Sequence, residues 1–195
     1  MKKKIAILGS TGSIGTSTLE IIKKDKFFFD VVLLSANNNY KKLIQQAKEF
    51  NAKNILIKNK IFSEKIKISL KNCPTKVYSG DISIKNIISG KLDYTMSAIV
   101  GIAGLQPTLD AITISKTVAI ANKESIICGW ELISKLTKKH KTKILPVDSE
   151  HFSIMELTKD MNDDEVEEII ITASGGPFLN MPLSKLKNVK PKQAI

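Results

Sequence analysis

Arginine is absent from these 195 residues; all 30 basic side chains are lysine, against 19 acids, for a net charge of +11. Arginine is the preferred reader of guanine edges and phosphate forks. The lysines are scattered over solvent-facing positions and not gathered into one stripe. A nucleic-acid partner is therefore not expected, despite the charge. Cysteine is nearly as scarce. Cys73 and Cys128 lie far apart with no partner pattern, which argues against a disulfide framework and against a thiolate metal site. No apolar run approaches membrane-spanning length, because Lys, Asn or Gly breaks each one within a few residues. The opening Met-Lys-Lys-Lys-Ile resembles the start of a secretion signal, but the apolar part after it is short and a glycine loop interrupts it. No membrane partner and a cytoplasmic location are the expectations. Internal repeats and low-complexity linkers are missing as well.

What is present is ordinary for a globular protein: 43% hydrophobic and 25% charged residues. The length suffices for one full core and part of a second. Short apolar runs alternate with helical spacing. Strands are expected at 4–8, 31–35, 55–57, 93–100, 117–121 and 143–147. Helices are expected after residue 13, at 40–50, near 60–71, near 82–89, at 105–115 and at 124–138. Such alternation predicts an α/β fold, a doubly wound, mostly parallel Rossmann-type sheet. The pattern changes near residue 150. The expected organisation is a nucleotide-binding domain over 1–149 and the start of an α+β catalytic domain over 150–195. An exposed strand edge is expected at Ile169–Ile171.

Ligands of parallel sheets bind beyond the carboxyl ends of the strands, so the residues that follow each strand matter most. After the first comes Gly9-Ser10-Thr11-Gly12-Ser13-Ile14-Gly15. This G-x-x-G-x-x-G is a relative of the dinucleotide fingerprint, suited to a pyrophosphate at the following helix's start. A bare tight turn would also satisfy it. After the second strand comes Asn37-Asn38-Asn39. An acidic residue usually bonds the ribose 2′-hydroxyl of NAD here; neutral residues would tolerate a 2′-phosphate, and equally they make a turn. Asn122-Lys123-Glu124-Ser125 follows the strand at 117–121, where Asn122 or Ser125 could simply cap a helix. Asp148-Ser149-Glu150-His151 follows the last strand. Two carboxylates so close can share a hard divalent cation, or can serve as helix-start acids favoured by the macrodipole. Taken together at one sheet edge, a phosphate loop, a lysine and a carboxylate pair suit a metal-assisted redox enzyme acting on a polar or phosphorylated substrate.

Five ordered blocks go further: GSTGSIG at 9–15, AIVGIAGLQPTL at 98–109, ANKES at 121–125, PVDSEH at 146–151 and ASGGPF at 173–178. Together they resemble the 1-deoxy-D-xylulose 5-phosphate reductoisomerase family over essentially the whole chain. The resemblance implies an NADPH-dependent enzyme that rearranges a phosphorylated ketose and reduces the product to 2-C-methyl-D-erythritol 4-phosphate in non-mevalonate isoprenoid synthesis. It implies NADPH contacts from Thr11, Gly12, Ser13, Ile14, Asn37, Asn38, Asn39, Asn122 and Glu124. Mn²⁺ or Mg²⁺ would sit on Asp148 and Glu150. Substrate contacts would come from Lys123, Ser149, Glu150 and Ser174, with Lys123, Asp148 and Glu150 as the catalytic set. It also implies a homodimer at full length.

Two departures stand out. The family's Gly-Lys-Asn after the second strand is Asn37-Asn38-Asn39 here, with Lys41 or Lys42 as substitutes for the lost lysine. The family's chain also continues well beyond Ile195, with a lid, a phosphate clamp and a further metal carboxylate. The chain alone is thus expected to bind cofactor and to lack turnover. A truncated relic or NADP-binding module without catalysis is the alternative. An unrelated NADP-dependent dehydrogenase is a third reading, and the Asp148/Glu150 pair argues against it.

Overall fold

The computed structural model describes residues 1–170 and 176–194. It divides into two compact units, Met1–Asp148 and Ser149–Ile195. The first unit is built on seven strands, β1 (Lys3–Leu8), β2 (Phe29–Ala36), β3 (Asn54–Ile57), β4 (Lys76–Ser79), β5 (Leu92–Ser97), β6 (Ser115–Ile120) and β7 (Lys143–Pro146). They form one sheet in the order β4-β3-β2-β1-β5-β6-β7, every pair parallel.

The central strand explains the layering. Ile5, Ala6, Ile7 and Leu8 are all buried, as expected when a parallel strand is covered on both faces. Ile5 and Ile7 join a core with Leu19 and Ile22 of α1 (Ser13–Lys24), Leu43 and Ala47 of α2 (Tyr40–Phe50) and Ile66 of α3 (Ser63–Ser69). Ala6 and Leu8 face the other way. They pack with Ala111 and Ile112 of α4 (Leu105–Ile114) and Ile133 of α5 (Lys123–His140). The register shifts by one residue between Ile5 and Ala6, so β2 carries a bulge. Val32 and Leu33 accordingly share one face, and the buried Asn54 donates its side-chain N–H to the Val32 carbonyl at 2.9 Å.

The strand order reverses at β1, which has β2 on one side and β5 on the other. That reversal opens a crevice at the carboxyl edge, where open α/β sheets bind ligands. The opposite edge is stitched by charge. Asp93 accepts the Lys4 backbone N–H at 2.9 Å and the Lys116 ammonium at 2.7 Å, joining β1, β5 and β6.

The segment between β3 and β5 differs from the expected pattern. Its first helix is a 3-10 turn (Lys60–Phe62) followed by α3, and β4 has no counterpart in the expected pattern. β4 has four residues with only Val77 and Tyr78 as strand formers, too short for a clear period. The helix expected near 82–89 is a single 3-10 turn, Ile84–Asn86. Ile84, Ile87 and Ile88 reach the core at helical spacing without a helix to carry them.

The second unit contains α6 (Ser149–Thr158) and α7 (Leu183–Leu186) and three 3-10 turns among its described residues. The strand expected at Ile169–Ile171 is not formed by Ile169 and Ile170, which are exposed; Ile171 lies outside the described residues. No neighbouring strand in this unit's described residues offers them ladder bonds, and a lone strand leaves its backbone unpaired. No described residue from 149 onward is buried. Among the described residues no helix is long and apolar enough to cross a membrane.

Two outcomes are expected. Hydrogen exchange should leave β1 and β5 the best protected strands, and amides of 149–170 and 176–194 should exchange far faster, because local stability follows buried contact. Second, the lysine partners hold the Asp93 carboxyl below its ordinary value of 3.8. Its contribution is therefore present above that value and is lost as pH falls through the lower folded one. An NMR titration should find the Asp93 midpoint depressed, and Lys116→Met should move it back up.

Candidate functional site

The glycine loop leaves β1 under tight control. Ser10 is fully buried; its N–H donates to the Ser35 carbonyl at 2.8 Å and its hydroxyl to Gln46 Oε1 at 2.8 Å. Gln46 returns a bond from Nε2 to the Ser10 carbonyl at 2.9 Å, and Gly9 N–H donates to Ser35 Oγ at 3.1 Å. Ser10 thus faces the protein. Thr11 and Gly12 line a cleft, while Ser13 and Ile14 begin α1 with exposed side chains. Gln46 was invisible as a motif. Its only signal was a polar residue inside the apolar stripe of α2.

The three glycines differ in what requires them. Gly9 has φ +81°, and a Cβ there would lie 2.6 Å from the Ala98 carbonyl oxygen. A Cβ on Gly15 would strike the backbone of Gly9 and Ser10. Both are dictated by packing inside the chain. Gly12 is not: its φ is −75°, and an added Cβ would meet only the Gly9 oxygen, at 3.4 Å. It sits at the N-cap of α1, with no side-chain cap and no acid in the first turn. The positive end of the helix therefore opens beside a bare backbone, a surface shaped for close approach of an anion.

The cleft, about 760 Å³, runs from this loop across the carboxyl ends of β1 to β5. That volume suits a small-molecule or cofactor site. Of the three asparagines after β2, Asn37 lines it. Asn38 Oδ1 accepts from Asn59 Nδ2 at 2.9 Å, and Asn39 caps α2 by accepting the Lys42 N–H at 3.2 Å. Lys58 and Lys85 bring positive charge to the cleft, paired with Asp81 at 3.3 Å and Asp110 at 3.4 Å. Asp110 is buried and also accepts from Ser83 Oγ at 2.6 Å and Gln106 Nε2 at 3.0 Å. None of these charged residues belongs to a recognisable pattern, since the topology alone assembles them.

A smaller hollow of about 270 Å³ lies alongside, lined by Ile14, Asn122, Lys123 and Glu124. Ala98, Ile99 and Val100 line both spaces. Asn122 is buried and triply bonded. Its Nδ2 donates to the carbonyls of Ile99 and Gly101, and its Oδ1 accepts the Ser125 N–H at 2.8 Å, capping α5. Asn122 is therefore a cap and a loop clamp at once. Lys123 and Glu124 stand exposed in the first turn of α5.

Asp148 follows β7 at the end of the first unit. Ser149 and Glu150 open α6 in the second, where the Ser149 hydroxyl donates to Glu150 Oε2 at 3.1 Å. Among the described residues no three His, Cys, Asp or Glu side chains converge to hold a metal ion. Within the second unit, Glu150 and the Ser149 hydroxyl offer oxygen donors of the kind that Mg²⁺ takes. Ser174 lies outside the described residues.

Comparison with known proteins gives consistent matches. The family model described as 1-deoxy-D-xylulose 5-phosphate reductoisomerase matches residues 5–129, and the model of that enzyme's C-terminal domain matches 144–195. A curated relative of that name from Pelagibacter ubique is 53% identical over 196 residues, covering 99% of this chain and 50% of the relative. A solved Zymomonas mobilis reductoisomerase in complex with NADPH superposes with a TM-score of 0.86 at 40% identity, covering 100% of this chain and 51% of that one. A solved DOX-P reductoisomerase in complex with NADPH, fosmidomycin and magnesium gives a TM-score of 0.78 at 32% identity, covering 99% of this chain and 50% of that one. The chain spans about half the length of the curated relatives it matches.

Gly9→Ala and Gly15→Ala should each lower unfolding free energy by about 1–3 kcal/mol through overpacking, Gly9 the more because of its positive φ. Gly12→Ala should lose only about 1 kcal/mol or less, the cost of a poorer N-cap. Denaturant titration of the three variants measures this.

Proposed function

We infer function from one premise: the chain belongs to the 1-deoxy-D-xylulose 5-phosphate reductoisomerase family. We propose that it forms the NADPH-binding part and the beginning of the catalytic part of such an enzyme, converting 1-deoxy-D-xylulose 5-phosphate to 2-C-methyl-D-erythritol 4-phosphate. The observation that carries this reading is Gly12, a glycine that no contact inside the chain requires, at a bare helix start on the edge of the cleft.

In this reading the N–H groups at the start of α1, with Thr11 to Ile14, hold the cofactor's pyrophosphate. Asn37 meets the adenosine ribose at the end of β2. Asn122 holds the loop after β5 in place, and Glu124 flanks the cofactor beside it. When bound, NADPH supplies the hydride and a divalent cation supplies Lewis acidity. Asp148 and Glu150 offer that cation hard carboxylate oxygens. Ser149 orients the Glu150 carboxylate through its hydroxyl. Lys123 adds positive potential where the substrate's oxygens gain charge, which counts most in a site that excludes water. Ser149, Glu150 and Ser174 contact the phosphorylated ketose.

Cofactor and metal binding should separate by mutation. Calorimetry of the chain with NADPH should show binding, and Gly12→Ala should weaken it roughly tenfold or more, because an added methyl group blocks close approach of the pyrophosphate. Glu150→Gln should leave NADPH affinity within about twofold while weakening Mn²⁺ roughly tenfold or more, read by the electron paramagnetic resonance of the free ion. A chain that binds no NADPH would overturn the reading.

A further inference from the structure

In doubly wound folds the residue at the end of the second strand reads the adenosine ribose; a carboxylate there takes a 2′-hydroxyl, and a cation nearby accommodates a 2′-phosphate. In this chain that position offers no charge. Of the three asparagines, Asn38 is bonded to Asn59 and Asn39 caps α2, so Asn37 alone faces the cleft. Lys41 and Lys42, the nearest lysines in sequence, do not line it.

Lys58 does line it. It is the first residue beyond β3, and its place is set by the sheet. Lys58 N–H donates to the Ala36 carbonyl at 2.9 Å and Asn59 N–H to the Asn37 carbonyl at 3.1 Å, so Lys58 stands directly beside Asn37. The second lysine of the cleft, Lys85, is tied to Asp110, whose side chain is 5% exposed. Moving Lys85 would leave a buried carboxylate short of a partner, which is costly. Lys58 is tied to Asp81, whose side chain is 85% exposed. Exchange of that surface carboxylate for another anion costs little.

We propose that Lys58 is the residue by which this chain selects a 2′-phosphorylated nicotinamide dinucleotide over its 2′-hydroxyl counterpart. Asp81 keeps the ammonium at the rim of the cleft until the phosphate takes its place. A cation just beyond the third strand thus does the work that the second strand's own loop cannot. The inference rests on the cofactor reading of the cleft given above.

The test is calorimetry of the chain with NADPH and with NADH at one salt concentration. The wild type should prefer NADPH. Lys58→Gln should lose about 10- to 100-fold in NADPH affinity, the range for a bond to a charged group, and stay within about twofold for NADH. Lys58→Arg should keep the preference. Asp81→Asn should tighten NADPH by about two- to fivefold, because a competing acceptor is removed. Unchanged preference in Lys58→Gln, or equal loss for both dinucleotides, overturns the inference and leaves the cofactor reading standing. A wild type that binds both equally also overturns the inference alone, and one that binds neither overturns the two together.

Discussion

Ser10 and Gln46 exchange two hydrogen bonds in a place that water does not reach, and the geometry of the carboxyl edge depends on them. A buried polar pair of this kind is demanding, since removal of one partner strands the other at the full cost of desolvation. The pair ties the glycine loop to α2, and Ser35 ties the same loop to β2. The loop, β2 and α2 are thereby held to one position. Only with that position secured can Gly12 present bare backbone without the loop collapsing on itself. The hydroxyls of the loop divide accordingly: Ser10 is inward and structural, while Thr11 lies at the cleft.

The two edges of the sheet are built on opposite principles. At the amino edge, carboxylates and lysines neutralise one another: Asp93 with Lys4 and Lys116, and Asp30 with Lys53. At the carboxyl edge, the start of α1 is left without a side-chain cap, and cations are paired with carboxylates of unequal exposure. The amino edge is stitched by these pairs, and the carboxyl edge is left with an uncapped helix start. The chain's excess of lysine is consistent with this division. Most lysines solvate the surface, and few reach the cleft.

The sequence made some of this plain and hid the rest for physical reasons. A strand buried on both faces reads as a continuous apolar run, so β1 and the loop after it were legible. Ile84, Ile87 and Ile88 carry helical spacing, yet only Ile84 lies in the 3-10 turn, because periodicity records which side chains are buried without naming the backbone that presents them. Short edge strands such as β4 carry too few residues to show a period at all. Lys58 could not be found by motif, since its meaning comes from the strand beside it. Asn122 had two readings in sequence, and the structure shows that one amide serves as helix cap and loop clamp together.

That double duty has a mechanical consequence. The Asn122 amide is a rivet between the turn after β5 and the first turn of α5, and Gly104 packs so tightly against it that a methyl group there would collide with the amide nitrogen. Neither element can shift without breaking bonds to the other. Ala98 to Val100 form a party wall between the two hollows. Because the same three residues line both hollows, a displacement of that turn alters the lining of the two at once.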